Sequence, residues 1–174
     1  MLPGNHEYVP FHLSNGKEAL QIESPQLACP YFLAKSTAPC GTPELCTFLD
    51  SKKLRRGLIT RNVKSAVDLF HQRFGILFSP ALSREFRPYK PDPAPLLHIC
   101  SSWDVQPNEV MMVGDSLKDD VACGKRAGAF TCLLDQTGRY DAPQFDSVDF
   151  KPDFKVSSLA DIVPLLDAHF DLVP

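Results

Sequence analysis

The segment Glu109-Val-Met-Met-Val-Gly-Asp-Ser-Leu-Lys-Asp-Asp120 carries the residues best suited to chemistry. Val110 to Val113 is an uninterrupted apolar run, as expected of a strand buried on both faces of a parallel sheet. Gly114 provides for a sharp turn and leaves Asp115 at the carboxyl end of the strand, where open α/β sheets bind ligands. A helix is predicted from about Leu117 to Ala127, stopped by Gly128. Its first turn offers N–H groups, while Asp119 and Asp120 bring further oxygens near Asp115. Hard oxygens gathered around one point suit Mg²⁺, which takes carboxylates, water and substrate phosphate. The alternative for the same side chains is helix capping, in which Asp and Ser satisfy amides and the dipole without a metal.

Two more polar features follow strands. Thr60 ends Gly57-Leu-Ile-Thr60 and precedes Arg61-Asn62; Lys90 lies in Arg87-Pro-Tyr-Lys-Pro-Asp-Pro93, stiffened by its prolines. In a parallel sheet such ends meet along one rim. A hydroxyl, an ammonium and a carboxylate there suit a phosphoryl group: Thr60 donates to one oxygen, Lys90 neutralises another, and Asp115 holds the metal. Taken singly, Thr60 reads as the cap of a helix starting near Val63, and Lys90 as a solvated lysine. Arg139, in Thr137-Gly-Arg-Tyr140, reads either as a group facing the site or as a loop charge.

The elements that must position these groups alternate from Thr42 onward. Pro43–Leu54 is predicted helical with Thr42 as N-cap, followed by a strand at Gly57–Thr60 and an amphipathic helix over Val63–Phe74 with Val63, Val67, Phe70 and Phe74 near one face. A strand at Ile76–Phe78, a helix over Pro93–Trp103, strands at Phe130–Leu134 and Phe154–Val156 and a closing helix over Ser157–His169 complete the series. The fold class is therefore α/β, a doubly wound parallel sheet. Residues 1–38 read as an irregular segment and 39–174 as the core.

A chain of 174 residues with 44% hydrophobic and 22% charged residues is ordinary for one globular domain. Its net charge of −3 gives no reason to expect nucleic acid or an anionic membrane as partner, and no apolar run reaches the ~18 residues of a span. The six cysteines show no C-x-x-C spacing, so zinc and dithiol redox chemistry lack support, and an intracellular, reducing compartment is expected. Neither a secretory signal pattern nor an Arg-rich transit pattern is evident at the N-terminus.

Leu58-Ile-Thr60, Lys90-Pro-Asp-Pro93 and Gly114-Asp-Ser-Leu-Lys-Asp119 resemble the second, third and fourth motifs of the haloacid dehalogenase (HAD) superfamily of hydrolases. Cys40-Gly-Thr-Pro-Glu-Leu-Cys46 resembles the segment that re-enters the core after the family's cap, and Glu44 to Tyr140 is similar to a plant member. The resemblance implies a Rossmann-like core and Mg²⁺-dependent hydrolysis of a small phosphorylated metabolite. By it, Thr60 and Lys90, with Arg61 and Asn62 beside Thr60, bind phosphate; Asp115 binds Mg²⁺, Asp119 supports it, and Asp120 is the weaker candidate.

The family's first motif, D-x-D at the end of the first strand, supplies the attacking carboxylate and the acid–base. This sequence contains no D-x-D and no aspartate before Asp50. What remains can polarise a phosphate but not attack it, and loss of a nucleophile costs on the order of 10⁶ in rate elsewhere. The expectation is an inactive core lacking its first central strand and its cap, from an alternative transcript, a late start or an imperfect gene model. Residues 27–34 are the candidate makeshift strand, with Pro30 against it. Two other functions are open: a non-catalytic binder of a phosphorylated ligand or partner, and a GDSL-type esterase using Ser116, for which Asp167-Ala-His169 has the wrong spacing.

Overall fold

Every residue of strand β4 (Met111–Gly114) is buried, so both faces of its sheet must be covered. In a computed structural model that describes residues 20–22 by their main chain, together with 41–145, 148–170 and 172, they are. Met111 and Val113 pack on one side with Leu45 and Leu49 of helix α1 (Thr42–Ser51), Val67 and Phe70 of α2 (Lys64–Phe74), and Ile162 and Leu166 of α5 (Ile162–His169). Met112, pointing the other way, packs with Leu96, Ile99 and Trp103 of α3 (Ala94–Trp103) and Cys123 of α4 (Ala122–Ala127). This is the double winding that the alternation of elements requires.

Strand β1 (Leu20–Ile22), β4, β5 (Phe130–Leu134) and β6 (Phe154–Val156) form a parallel sheet in that order. Strand β2 (Leu58–Ile59) pairs in parallel with β3 (Ala81–Leu82), and β1 also lies against β2. The gap expected in the sheet is therefore closed on the β4 side by three residues of the N-terminal segment, paired Leu20 to Met111 through Ile22 to Val113. Residues 20–22, in the segment read as irregular, thus pair beside β4 as a short strand, while the D-x-D strand of the family is not found in this sequence. The candidate at 27–34 lies outside the described residues. A strand of three residues needs few apolar side chains, and Leu20-Gln-Ile22 gives too short a pattern to register as one.

Smaller corrections share a cause, namely side chains that find partners other than those nearest in sequence. Helix α1 is capped by Gly41 in the left-handed region (φ 86°), not by Thr42, whose hydroxyl is buried without a hydrogen-bond partner among the described residues. Val63 precedes α2 and is exposed, leaving Val67 and Phe70 as its buried face. The expected strand at Ile76–Phe78 is displaced to Ala81–Leu82. The Phe78 amide donates to His71 Nε2 and the Ser79 amide to the Arg56 carbonyl, so pairing with β2 starts only at Pro80. Helices α3 and α5, β5 and β6 fall within a few residues of where the sequence puts them. No helix among the described residues is long and apolar enough to cross a membrane.

Cys46, Cys100, Cys123 and Cys132 are free and buried. Burial pushes the thiols of Cys46 and Cys100 up to about 11 and that of Cys132 up to about 12, so these are inert core side chains.

His71 accepts from the Phe78 amide at 3.4 Å and stacks on the Phe78 ring, which fastens α2 to the segment entering β3. Burial, aided by Lys64 and opposed by Asp68, holds its pKa below the ordinary 6.5. The neutral form is the one that accepts. Its contribution is complete above about 6.5 and is lost as pH falls from there through the lowered folded value. Thermal melts against pH should show the wild type losing stability on acidification more steeply than His71→Phe; parallel curves would contradict this.

Candidate functional site

Gly114 ends β4 without a left-handed φ, so it is not there to turn the chain. A Cβ on it would lie 2.3 Å from Asp120 Oδ2. Glycine is needed because the Asp120 side chain lies directly against the strand's last residue. The acidic stretch begins as one π-helical turn, Leu117–Val121, before α4. The Ser116 carbonyl accepts from both the Asp120 and Val121 amides, at 2.9 and 3.1 Å. Such turns insert one residue into a helix and are frequent at functional sites.

This geometry separates the two neighbouring aspartates. Asp120 faces inward: its Oδ2 accepts from the Ser116 amide at 3.0 Å, and its Oδ1 accepts from Lys90 Nζ at 2.7 Å, with both side chains 3% exposed. Asp119 faces outward and pairs with Arg61 at 2.8 Å. Asp120 is built into the site, and Asp119 belongs to its exposed margin.

Lys90 joins three elements, since its ammonium also approaches the Ile59 carbonyl of β2 at 3.5 Å. It lines a cavity of about 10 Å³ together with Thr60, Arg61, Ser83, Phe86 and Tyr89. Thr60 is buried, and its Oγ1 accepts from the Asn62 amide at 3.2 Å. It does not cap α2, which begins after Val63 with no side-chain cap. The Asn62 Nδ2 is buried with no hydrogen-bond partner among the described residues, a costly arrangement for a donor unless an anion meets it. A second cavity, of about 500 Å³, lies at the opposite ends of β2 and β3 between Arg55, Arg56 and Trp103, away from these groups.

Asp115 stands at the rim with its side chain 40% exposed. Burial and the neighbouring Asp120 carboxylate push its carboxyl above the usual range, against the pull of Arg139 and Lys90. The carboxylate is thus partly buried beside a second carboxylate, with Arg139 and Lys90 as its countercharges. Two residues that the sequence did not single out hold its main chain in place. Tyr140 donates to the Asp115 carbonyl at 3.1 Å and accepts from the Leu117 amide at 3.4 Å. Asp135, just past β5, accepts from the amides of Arg139 and Tyr140 at 3.0 Å each and pairs with Lys155 at 3.1 Å. Burial raises the Asp135 pKa, but those donors outweigh it and the net shift is downward. The available signal was positional: Asp135 follows β5 as Asp115 follows β4.

No three His, Cys, Asp or Glu side chains among the described residues converge as a metal cage. The donor set still fits Mg²⁺, which is commonly held by one or two carboxylates, water and substrate phosphate rather than by a closed protein cage. Asp115, at the strand end and partly open to water, has the placement such a ligand would need. Ser116 and His169, the residues of the esterase alternative, have other partners among the described residues. The Ser116 Oγ caps Asp119 at 3.1 Å, while His169 packs against the rings of Phe154 and Phe170.

Thr60, Lys90 and Asp115 thus stand at the carboxyl edge of a doubly wound parallel α/β sheet. Residues 89–162 match the HAD-hydrolase-like family model. The chain is 72% identical over 134 residues to a haloacid dehalogenase-like hydrolase domain-containing protein of Arabidopsis thaliana, covering 77% of this chain and 55% of that one. It is 33% identical over 122 residues to a phosphoglycolate phosphatase of Pasteurella multocida, covering 68% of this chain and 53% of the relative. The structure of an HAD phosphatase from Thermococcus onnurineus shares the fold, with a TM-score of 0.62 at 24% identity, over 73% of this chain and 57% of that one. The chain belongs to the haloacid dehalogenase-like hydrolases. It spans about half the length of the curated relatives it matches.

Two substitutions test this packing. Asp120→Ala strands a buried ammonium and should cost about 3–5 kcal/mol in urea melts, most of it regained by Lys90→Met with Asp120→Leu. Gly114→Ala forces a methyl into the Asp120 carboxylate and should cost about 1–3 kcal/mol. A Gly114→Ala protein as stable as the wild type would show that Asp120 does not lie against the strand.

Proposed function

We propose that the chain is a phosphate-binding HAD core that holds a phosphorylated small metabolite with Mg²⁺ and does not itself turn it over. The observation that carries the reading is the convergence of Thr60, the Lys90–Asp120 pair and Asp115, with Asn62 Nδ2, unpartnered among the described residues, next to Thr60 in sequence. Thr60 donates its hydroxyl proton to one phosphoryl oxygen and Asn62 Nδ2 donates to another, while the Lys90 ammonium supplies charge from a site where water does not screen it. Arg61, exposed and paired with Asp119, adds charge at the margin. Mg²⁺ bound at Asp115 would neutralise phosphoryl charge. Asp120 keeps Lys90 charged and in place, and Asp119 acts on the metal only through solvent.

Attack on phosphorus needs a carboxylate that this sequence does not supply in the family's D-x-D form. Similarity to a phosphoglycolate phosphatase favours small phosphorylated acids as ligands. The buried, unreactive thiols agree with a reducing compartment.

Inorganic phosphate should raise the melting temperature in the presence of Mg²⁺, and Thr60→Val or Asp115→Asn should abolish the shift. p-Nitrophenyl phosphate should not be hydrolysed above background. Turnover that disappears in Asp115→Asn would refute the inactive reading, and absence of any phosphate-dependent shift would refute the binding site itself.

A further inference from the structure

Arg139 differs from the other cations of the rim in how it is held. Lys90 is locked to Asp120 in the interior, and Arg61 makes a 2.8 Å pair with Asp119. Arg139 Nη2 donates to the Asp115 carbonyl but stands 3.6 Å from Asp115 Oδ2, and the two side chains are 51% and 40% exposed. That distance is too long for a hydrogen bond, and ion pairs this open to water are weak and easily exchanged. The guanidinium also lies over the Tyr140 ring, 4.6 Å from its centroid, a support that does not depend on Asp115.

The loop carrying Arg139 is fastened without that side chain. Gly138 (φ 68°) starts it, Asp135 binds the main-chain amides of Arg139 and Tyr140, and the Tyr140 hydroxyl holds Asp115 directly. Tyr140 and Phe145 pack edge to face above the small core formed by Leu117, Val121 and Leu133. Arg139 can therefore change partner while the loop stays where it is.

We propose that Arg139 is an exchangeable counter-ion: a divalent cation on Asp115 displaces it, and the released guanidinium then pairs with the oxyanion bound beside the metal. This rests on the reading of Asp115 as the metal carboxylate. The guanidinium and the metal compete for one carboxylate, while the metal and the anion help one another. Arg139 thus opposes metal binding in the absence of phosphate and strengthens the coupling between metal and phosphate when both are present.

Calorimetric titration of the full chain tests this with Mg²⁺ alone, inorganic phosphate alone, and phosphate at saturating Mg²⁺. Arg139→Gln should tighten binding of Mg²⁺ alone by roughly twofold to fivefold, the range an exposed ion pair allows. It should shrink the Mg²⁺-dependent gain in phosphate affinity by a similar factor. Arg139→Lys, which keeps the charge, should stay close to wild type. Unchanged or weaker Mg²⁺ binding in Arg139→Gln, or an unchanged coupling, overturns the proposal. If wild-type binding of Mg²⁺ is absent, or survives Asp115→Asn, the reading of Asp115 fails and the proposal with it. If binding requires Asp115 but ignores Arg139, only the proposal falls.

Discussion

The Lys90–Asp120 ion pair is the interaction on which the site depends. Two opposite charges sit in the interior at 2.7 Å, each nearly inaccessible to water. Neither would be tolerated there alone, because the cost of desolvating one ion is recovered only from the other. The pair therefore ties the proline-stiffened loop after β3 to the acidic turn after β4, and through the Ile59 carbonyl to β2. Three strand ends that belong to separate parts of the sequence are thereby held in one place. Because the pair is neutral overall, it brings a fixed ammonium to the rim without adding net charge to the core.

Around that fixed point the remaining charges become progressively looser. Asp135 and Tyr140 anchor the neighbouring loop through main-chain amides and one carbonyl, so the Asp115 backbone is firmly placed while its carboxylate faces water. Arg61 and Arg139 are themselves exposed and lie further out, on partners only partly open to water. A rigid interior with an adjustable margin is what a site needs if it must accept a doubly charged ligand together with a metal and later release both.

How much of this was legible in the sequence depended on whether a residue's partner was near it in the chain. Apolar runs such as Val110–Val113 and Phe130–Leu134 and the prolines around Lys90 reported their own roles, because burial and backbone stiffness are local properties. The rim of Thr60, Lys90 and Asp115 was legible too, since strand ends in a parallel sheet have only one edge on which to gather. The inward turn of Asp120 and the outward turn of Asp119 could not be read from sequence, because the extra residue of a π turn leaves no compositional trace. Leu20–Ile22 went unrecognised, because three residues are too few to show a period. Asp135, Tyr140 and the Asn62 amide act through contacts with distant segments, which spacing alone does not reveal.

The π turn at Leu117–Val121 also bears on how this segment tolerates insertions and deletions. Successive residues of a regular helix are separated by about 100° around its axis, so shortening the turn by one position would swing each following side chain through that angle. Asp120 would rotate out of the protein interior, and Lys90 would be left facing main-chain and apolar groups. Point substitutions at Lys118, on the outer surface of the turn, leave that register untouched. Length, more than composition, is therefore the property of this turn under the tightest physical constraint.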